Sequence, residues 1–160
     1  MNYLVKIAES ITGIEVGTIE YKLARKDVFV KSANLSASFE RMTSEPKRRQ
    51  KNVKDVHKFV VLNHILSSYI ATVASTISGK KNYQNQAEDI KLVKKSIAVL
   101  NDTSEKLGGK LVQFKTAKTT ATTIPVPQSA QHDDILLKEQ LGFINKISVD
   151  IARVTESILS

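Results

Sequence analysis

The sequence contains no cysteine, and it has only six glycines and three prolines among its 160 residues. Without cysteine, disulfide bonds and cysteine-based zinc or nucleophile chemistry are excluded, and the composition fits a reducing compartment. So few glycines and prolines favour a small number of long elements. No uninterrupted run reaches the roughly 18 apolar residues of a membrane span, and the first residues lack a signal-peptide core. We therefore expect a soluble, unexported polypeptide.

The composition that is present describes an ordinary folded chain with a marked positive charge. Apolar residues make up 41% and charged residues 25%, which suits a single domain over residues 1–160. The net charge is +8 and the sequence pI is near 9.6. A charge of this sign leaves three classes of partner open, namely nucleic acid, an anionic membrane surface and an acidic protein.

Hydrophobic spacing of three and four residues predicts helices throughout the chain. We expect a short N-terminal helix with a Gly-containing loop over residues 1–17, and a long helix over 18–42 that ends at Ser44, Glu45 and Pro46. Further helices are predicted to end near Ile77, to cover 84–107 and to run from 132 to the terminus, with a mobile loop over 110–131. The prediction is an all-α, antiparallel four-helix bundle with a long mobile loop before the last helix. That loop is long enough for a crossover, so the order of helix directions stays open.

The helix that ends near Ile77 is the most apolar in the chain. One seam runs along it, and Val60, Leu62, Ile65 and Tyr69 widen that seam on both sides. A helix this apolar is typical of the centre of a bundle, where it contacts more than one neighbour. Asn63 interrupts the seam, which leaves two interpretations open: it fixes register or oligomeric state, or it hydrogen-bonds within its own bundle.

Candidate catalytic and metal-binding residues are few. His57 and His64 lie two helical turns apart, too far to share one metal ion, and His132 stands beside two aspartates that suit a helix N-terminus. Paired carboxylates at di-iron spacing, a nucleophile elbow and glycine-rich phosphate loops are all missing from the sequence. We predict a non-enzymatic protein without cofactor or metal.

A basic run is the most conspicuous charge feature. It contains six cations within twelve residues, Lys47, Arg48, Arg49, Lys51, Lys54 and Lys58. No aromatic stacking residue interleaves the run and no recognised binding module surrounds it, so nucleic acid is the less favoured partner. Anionic lipid headgroups suit such a cluster better, and a solvated helix start is the plain alternative.

Several of these segments resemble a known family. The strings YKLARK at 21–26, ANLSASF at 33–39, RMTSEPK at 41–47 and HKFVVLNHILSSYIAT at 57–72 look like the C-terminal soluble region of fusaric acid resistance (FUSC)-like bacterial membrane proteins. The resemblance covers residues 21–74. Its motif residues concern helix packing rather than catalysis, and they are Tyr21, Arg25, Arg41, Ser44, Glu45, Pro46 and Asn63.

The resemblance implies a setting for the chain. Members of this family are inner-membrane proteins described as exporters, and the soluble helical region lies on their cytoplasmic side. It therefore implies a non-enzymatic domain that acts in assembly or regulation of the membrane part, with the transmembrane part of the same protein, anionic lipid headgroups or a second copy as partners. The excess of Lys and Arg agrees with the cytoplasmic side of a membrane. The alternative is a stand-alone helical module that binds an acidic partner or nucleic acid through residues 47–58.

Overall fold

The computed structural model describes residues 2–12, 14, 16–79, 87–108 and 131–160, and the described residues form five helices. They are α1 (Asn2–Ile11), α2 (Thr18–Ser44), α3 (Val53–Gly79), α4 (Ala87–Lys106) and α5 (Gln131–Leu159). The all-α prediction is confirmed. Except for Gln131, the predicted mobile loop at 110–131 lies outside the described residues, as do positions 84–86 of the predicted third long helix.

The core lies between α3, α4 and α5, and α1 completes it. Helix α5 packs between α3 and α4, while α1 contacts α2, α3 and α4. Apolar side chains of all four core helices form one cluster, which includes Leu4, Ile11, Val73, Val93 and Ile144. Burial of this continuous cluster is the main favourable term in the stability of the fold.

The short helix α1 is the most deeply buried element for its length. Seven of its ten residues are buried: Tyr3, Leu4, Val5, Ile7, Ala8, Glu9 and Ile11. Helical spacing in the sequence places only Leu4, Ile7, Ala8 and Ile11 on one apolar side of this helix. The wider burial follows from its position, because α1 contacts three helices rather than one.

Helix α2 behaves in the opposite way. It packs along α3, yet none of its 27 residues is buried, and the apolar residues on its inward side, such as Tyr21, Ala24 and Val28, are only partly buried. The reason is that α2 has few neighbours: it contacts α3 along its length and α1 at one end. Both helices carry an apolar stripe, whereas the structure places α1 inside and α2 outside.

The helix directions are mixed. Helices α2 and α3 are antiparallel, because Ser36 meets His64 and Phe39 meets His57. Helices α3 and α5 are also antiparallel, since Asp55 is bonded to Ser157, and Tyr69, about four turns later on α3, lies against Phe143, about four turns earlier on α5. In both of these pairs the predicted antiparallel arrangement holds.

Helices α4 and α5 run parallel instead. Lys138 bonds Glu88 near the start of both helices, and Lys106 bonds Glu156 at 2.8 Å near the end of both helices. In each pair the two residues are 50 positions apart in sequence. The antiparallel prediction is therefore corrected for this pair. The physical reason is length: α4 spans about 30 Å, and the 22 residues of 109–130 can reach roughly twice that distance, so the chain is able to return to the start of the bundle.

Small hydroxyl residues contribute to the buried sides of α4 and α5. Ser96 and Thr103 on α4 and Ser148 and Thr155 on α5 are buried, and each donates its hydroxyl hydrogen to the carbonyl four residues earlier. Their polar atoms are thus satisfied within their own helix, and they cost little to bury.

Candidate interaction surface

The basic run lies on the turn between α2 and α3 and on the first turns of α3. Helix α2 ends where the backbone N–H of Glu45 donates to the carbonyl of Met42 and the hydroxyl of Ser44 donates to that of Glu40. The side chain of Gln50 then donates to the carbonyls of Thr43 and Glu45, at 2.8 and 2.7 Å. These bonds fold the turn back onto the end of α2 and give the basic residues a defined frame.

The far side of this turn is fixed to α5. Asn52 adopts a left-handed backbone conformation, with φ of 49°, and its side chain donates to the carbonyl of Ile158 at 3.1 Å. Three residues later Asp55 accepts a hydrogen bond from Ser157 at 2.9 Å. A left-handed conformation is tolerated by Asn better than by most residues. The turn therefore sits at the end of the bundle where α2 and α5 end and α3 begins.

All six predicted patch residues are exposed at this end. None of them has an ion-pair partner among the described residues, and they are Lys47, Arg48, Arg49, Lys51, Lys54 and Lys58. We call this group the basic patch. Cations that are close together and unpaired attract anions more strongly than the same charges spread over a surface.

The family-like residues occupy structural positions around α2. Tyr21 shares a hydrogen bond with Tyr3 of α1 at 2.9 Å, and Arg25 lies 5.7 Å from the ring centre of Phe29. Arg41 donates to the hydroxyl of Ser38. Together with Ser44, Glu45 and Pro46 at the helix end, they shape α2 and its junctions with the neighbouring elements.

Asn63 hydrogen-bonds within its own helix. Its side-chain amide donates to the carbonyl of Phe59 at 2.8 Å, and the hydroxyl of Ser67 donates to the carbonyl of Asn63 at the same distance. Of the two interpretations left open by the sequence, the geometry agrees with a bond inside the bundle.

The two tyrosines fix α1 against the start of α2. Their rings lie 5.5 Å apart between centroids. Burial, followed by the hydrogen bond to Tyr21, raises the pKa of the Tyr3 hydroxyl well above its ordinary value near 10. Nearby, the ammonium of Lys6 bonds Glu9 and Glu20, each at 3.0 Å, and these bonds raise the pKa of Lys6. The contacts attach α1 and α2 to each other by both apolar and charged groups.

The histidines of α3 serve the contact with α2. The ring of His57 lies 5.4 Å from that of Phe39, and His64 is hydrogen-bonded to Ser36 at 2.8 Å. The side chain of His132 is outside the described residues. Across the residues that the structure describes, no three His, Asp or Glu side chains are close enough to hold a metal ion.

A shallow groove runs between α2 and α3, with Tyr3 at one end. Its volume is about 150 Å³, and its walls carry apolar residues such as Val28 and Leu66 beside Lys31 and Asn63. Cavities that enclose a drug-sized ligand measure roughly 300–1,000 Å³. The groove is therefore too small to enclose such a molecule.

Helix α3 is long and apolar enough to cross a membrane, judged by length and composition alone. An uninterrupted apolar run does not reveal this property, because Asn63 and His64 interrupt the run in α3. Only 33% of the relevant window is buried inside the chain. A core helix of a soluble protein satisfies the same criterion, so the measure by itself decides nothing about a membrane.

Sequence reasoning also missed a set of exposed apolar side chains. Five of them lie on α2, α3 and α5 and are between 39% and 57% exposed: Phe29, Val61, Ile65, Leu136 and Phe143. The available signal was the unusual width of the apolar seam on α3. We interpreted that width as contact with several helices of the same bundle, whereas Ile65 and Val61 face away from it.

Comparison with family models, with curated proteins and with solved structures finds no match to this chain. The resemblance to the FUSC-like family stays a prediction, and function has to be inferred from the chain's own residues.

Proposed function

We propose that this chain is a non-enzymatic helical domain that works by contact at the cytoplasmic face of a bacterial inner membrane, in assembly or regulation of the membrane part of a FUSC-like exporter. The observation that carries the proposal is the basic patch, whose six cations are exposed at one end of the bundle and have no ion-pair partner in the part of the chain that the structure describes. The resemblance over residues 21–74 supports the same setting.

The chemistry of the patch suits anionic lipid headgroups. A Lys or Arg close to such a surface contributes about 1 kcal/mol, so a cluster of this size gives measurable binding without any specific pocket. The turn presents Lys47, Arg48 and Arg49 at its tip, and the hydrogen bonds of Gln50 hold that tip in place. An ordered turn loses less conformational freedom on binding than a disordered one.

The lipid contact is tested by vesicle sedimentation. We expect binding to vesicles that contain phosphatidylglycerol, little binding to pure phosphatidylcholine, and weaker binding as salt rises. The double variant Arg48→Glu, Arg49→Glu should lose most of the binding. The double variant Lys22→Glu, Lys95→Glu makes the same change in net charge at exposed sites outside the patch, and this variant should retain most of the vesicle binding. Equal losses in both variants would contradict a localised patch.

The same proteins distinguish the alternative function. A module for nucleic acid or an acidic protein would use the same patch, so the wild-type chain is also titrated with DNA and RNA at low salt. Tight nucleic-acid binding without vesicle binding would favour the alternative. The family placement is tested by the full reading frame, in which we expect membrane-spanning segments next to this domain.

A further inference from the structure

The outer side of α2, α3 and α5 forms one continuous surface. On α3, Val61, Ile65, Ser68 and Thr72 share a side because they are spaced by four, three and four residues. The opposite side of α3 carries Ile70, Val73, Ala74 and Ile77, which belong to the core cluster. The row from Val61 to Thr72 therefore faces away from the core.

The neighbouring helices extend this row on both sides. On α2, Arg25, Phe29, Ser36 and Glu40 share a side, which Ser36 places next to α3 through its bond with His64. On α5, Leu136 and Phe143 share a side, which Phe143 places next to α3 through Tyr69, at 5.5 Å between ring centroids. We call the three rows together the outer face.

We propose that the outer face is the interface of a symmetric dimer of this chain, in which two copies meet face to face with their helices antiparallel. The occupant is a second copy because the charges on the face complement each other under that symmetry. Among the charged residues that border the face, four find an opposite charge under that symmetry and have no ion-pair partner among the residues that the structure describes: Arg25, Glu40, Lys58 and Glu139.

The heights of these charges along α3 follow from the observed contacts. Glu139 lies one turn before Phe143, so it is level with the turn of α3 that follows Tyr69, near Val73. Ser36 faces His64, and Arg25 lies three turns before Ser36 on the antiparallel helix α2. Arg25 is therefore also level with the part of α3 near Val73. Glu40, next to Phe39, is level with the first turns of α3, at about the height of Lys58.

Ile65 lies midway between these two heights. A two-fold axis through Ile65, perpendicular to the helices, exchanges the two levels and keeps each helix opposite its own copy. Glu40 then meets the second copy's Arg25, and Lys58 meets the second copy's Glu139, so each dimer gains four ion pairs. An isologous interface requires this kind of self-complementarity.

The size of the face fits a dimer of modest strength. Three helix rows about 10 Å apart and about 25 Å tall cover roughly 700 Å², close to the roughly 800 Å² per partner of a standard interface. Lys146, exposed on α5 near the height of the axis, faces its own copy and opposes association. We therefore expect dissociation in the micromolar range or above.

Sedimentation equilibrium over a range of protein concentrations tests the proposal. We expect a monomer–dimer equilibrium that Ile65→Lys weakens at least tenfold. The matched control is Leu23→Lys, at an exposed apolar residue of α2 that points away from the face, and it should leave the equilibrium unchanged. Circular dichroism and thermal melting confirm that both variants fold. A chain that stays monomeric at the highest concentration, or one that Leu23→Lys dissociates and Ile65→Lys does not, would overturn the proposal.

Charge reversal tests the geometry itself. Lys58→Glu and Glu139→Lys should each weaken the dimer several-fold, and the double variant should recover most of the loss, because both copies then carry the reversed pair. Absence of recovery would contradict the predicted axis.

Because the chain has no cysteine, Ile65→Cys also provides a direct distance test. This single thiol should form a disulfide-linked dimer under mild oxidation by copper phenanthroline, and Leu23→Cys should not.

If Ile65→Lys instead abolishes binding to neutral vesicles, the face is a membrane contact and the dimer is wrong. Lys58 belongs to both surfaces, so in the dimer the other five cations of the basic patch remain for lipid. The patch variant Arg48→Glu, Arg49→Glu changes no residue of the proposed ion pairs and should leave the dimer intact, so the two proposals fail independently.

Discussion

The position of α1 inside the bundle leads to a quantitative prediction for two leucines. Leu4 on α1 is 0% exposed, whereas Leu23 on α2 is 61% exposed. Replacement of Leu4 by Ala removes three buried carbon atoms, worth about 2.4 kcal/mol at about 0.8 kcal/mol each, and leaves a cavity that raises the cost to roughly 3–4 kcal/mol. Replacement of Leu23 by Ala removes little buried surface, and Ala is a slightly better helix former, so its cost is within about 0.5 kcal/mol.

Urea denaturation monitored by circular dichroism measures both changes in the free energy of unfolding. The two variants share the same chemical change, so the helical propensities of Leu and Ala affect both alike. An equal loss of stability in the two proteins would refute the placement of α1 in the core and of α2 outside it. A change in the slope with denaturant, rather than in the midpoint, would indicate that the Leu4 variant unfolds in more than one step.

Two further predictions concern pH. The pKa of Tyr3 is raised by burial and by its bond to Tyr21, so the stabilisation from the neutral hydroxyl is fully present below pH of about 10 and is lost as the pH rises above it. In urea denaturation, the free energy of unfolding of Tyr3→Phe should therefore fall less than that of the wild type between pH about 9 and 11. An equal fall with pH in the two proteins would contradict the raised pKa of Tyr3. The ammonium of Lys138 lowers the pKa of Glu88, so that pair stabilises the fold above the ordinary Glu pKa near 4.3 and is lost as the pH falls through the lowered value. NMR titration should give Glu88 a pKa below that ordinary value, and high salt or Lys138→Met should raise the pKa back toward it. If Lys138→Met leaves the pKa of Glu88 unchanged, the ion pair between Glu88 and Lys138 is contradicted.

Helical spacing was sufficient to locate the long helices. Helix α2 was predicted to cover 18–42 and ends at Ser44, and α3 was predicted to end at Ile77 and ends at Gly79. This agreement has a physical basis, since the apolar stripe and the turn at Glu45 and Pro46 are local features that each segment carries by itself.

The depth of each helix could not be predicted in the same way. Periodicity identifies which residues share a side of a helix, but it does not say how many neighbours the helix will have. Tyr3, Val5 and Glu9 are buried because three helices surround α1, and Val28 is only partly buried because α2 has few neighbours. The direction of α4 relative to α5 was also outside local reasoning. Its one sequence signal was the equal spacing of Glu88 to Lys138 and of Lys106 to Glu156.

The basic patch was predictable because charge needs no partner to be recognised in a sequence. The turn that holds the patch was not predictable, since the bonds of Gln50 depend on the end of α2, and the bond of Asn52 depends on Ile158 of α5, 106 residues further along. The outer face was missed for a related reason. Phe29, Ile65 and Phe143 come from three separate helices, and only their arrangement in space makes one surface of them.

The mixed helix directions also have a consequence for the order in which this chain folds. Contacts of α5 with α3 and with the turn before α3 join residues 102 and 106 positions apart, and those between α4 and α5 join residues 50 apart. Such non-local contacts slow folding compared with a simple up-and-down bundle, because long loops must close before the contacts form. During synthesis, α1, α2 and α3 leave the ribosome well before α5, so the apolar side of α3 that α5 covers stays open for the time needed to make about eighty more residues. A growing chain in this state is a natural substrate for chaperones.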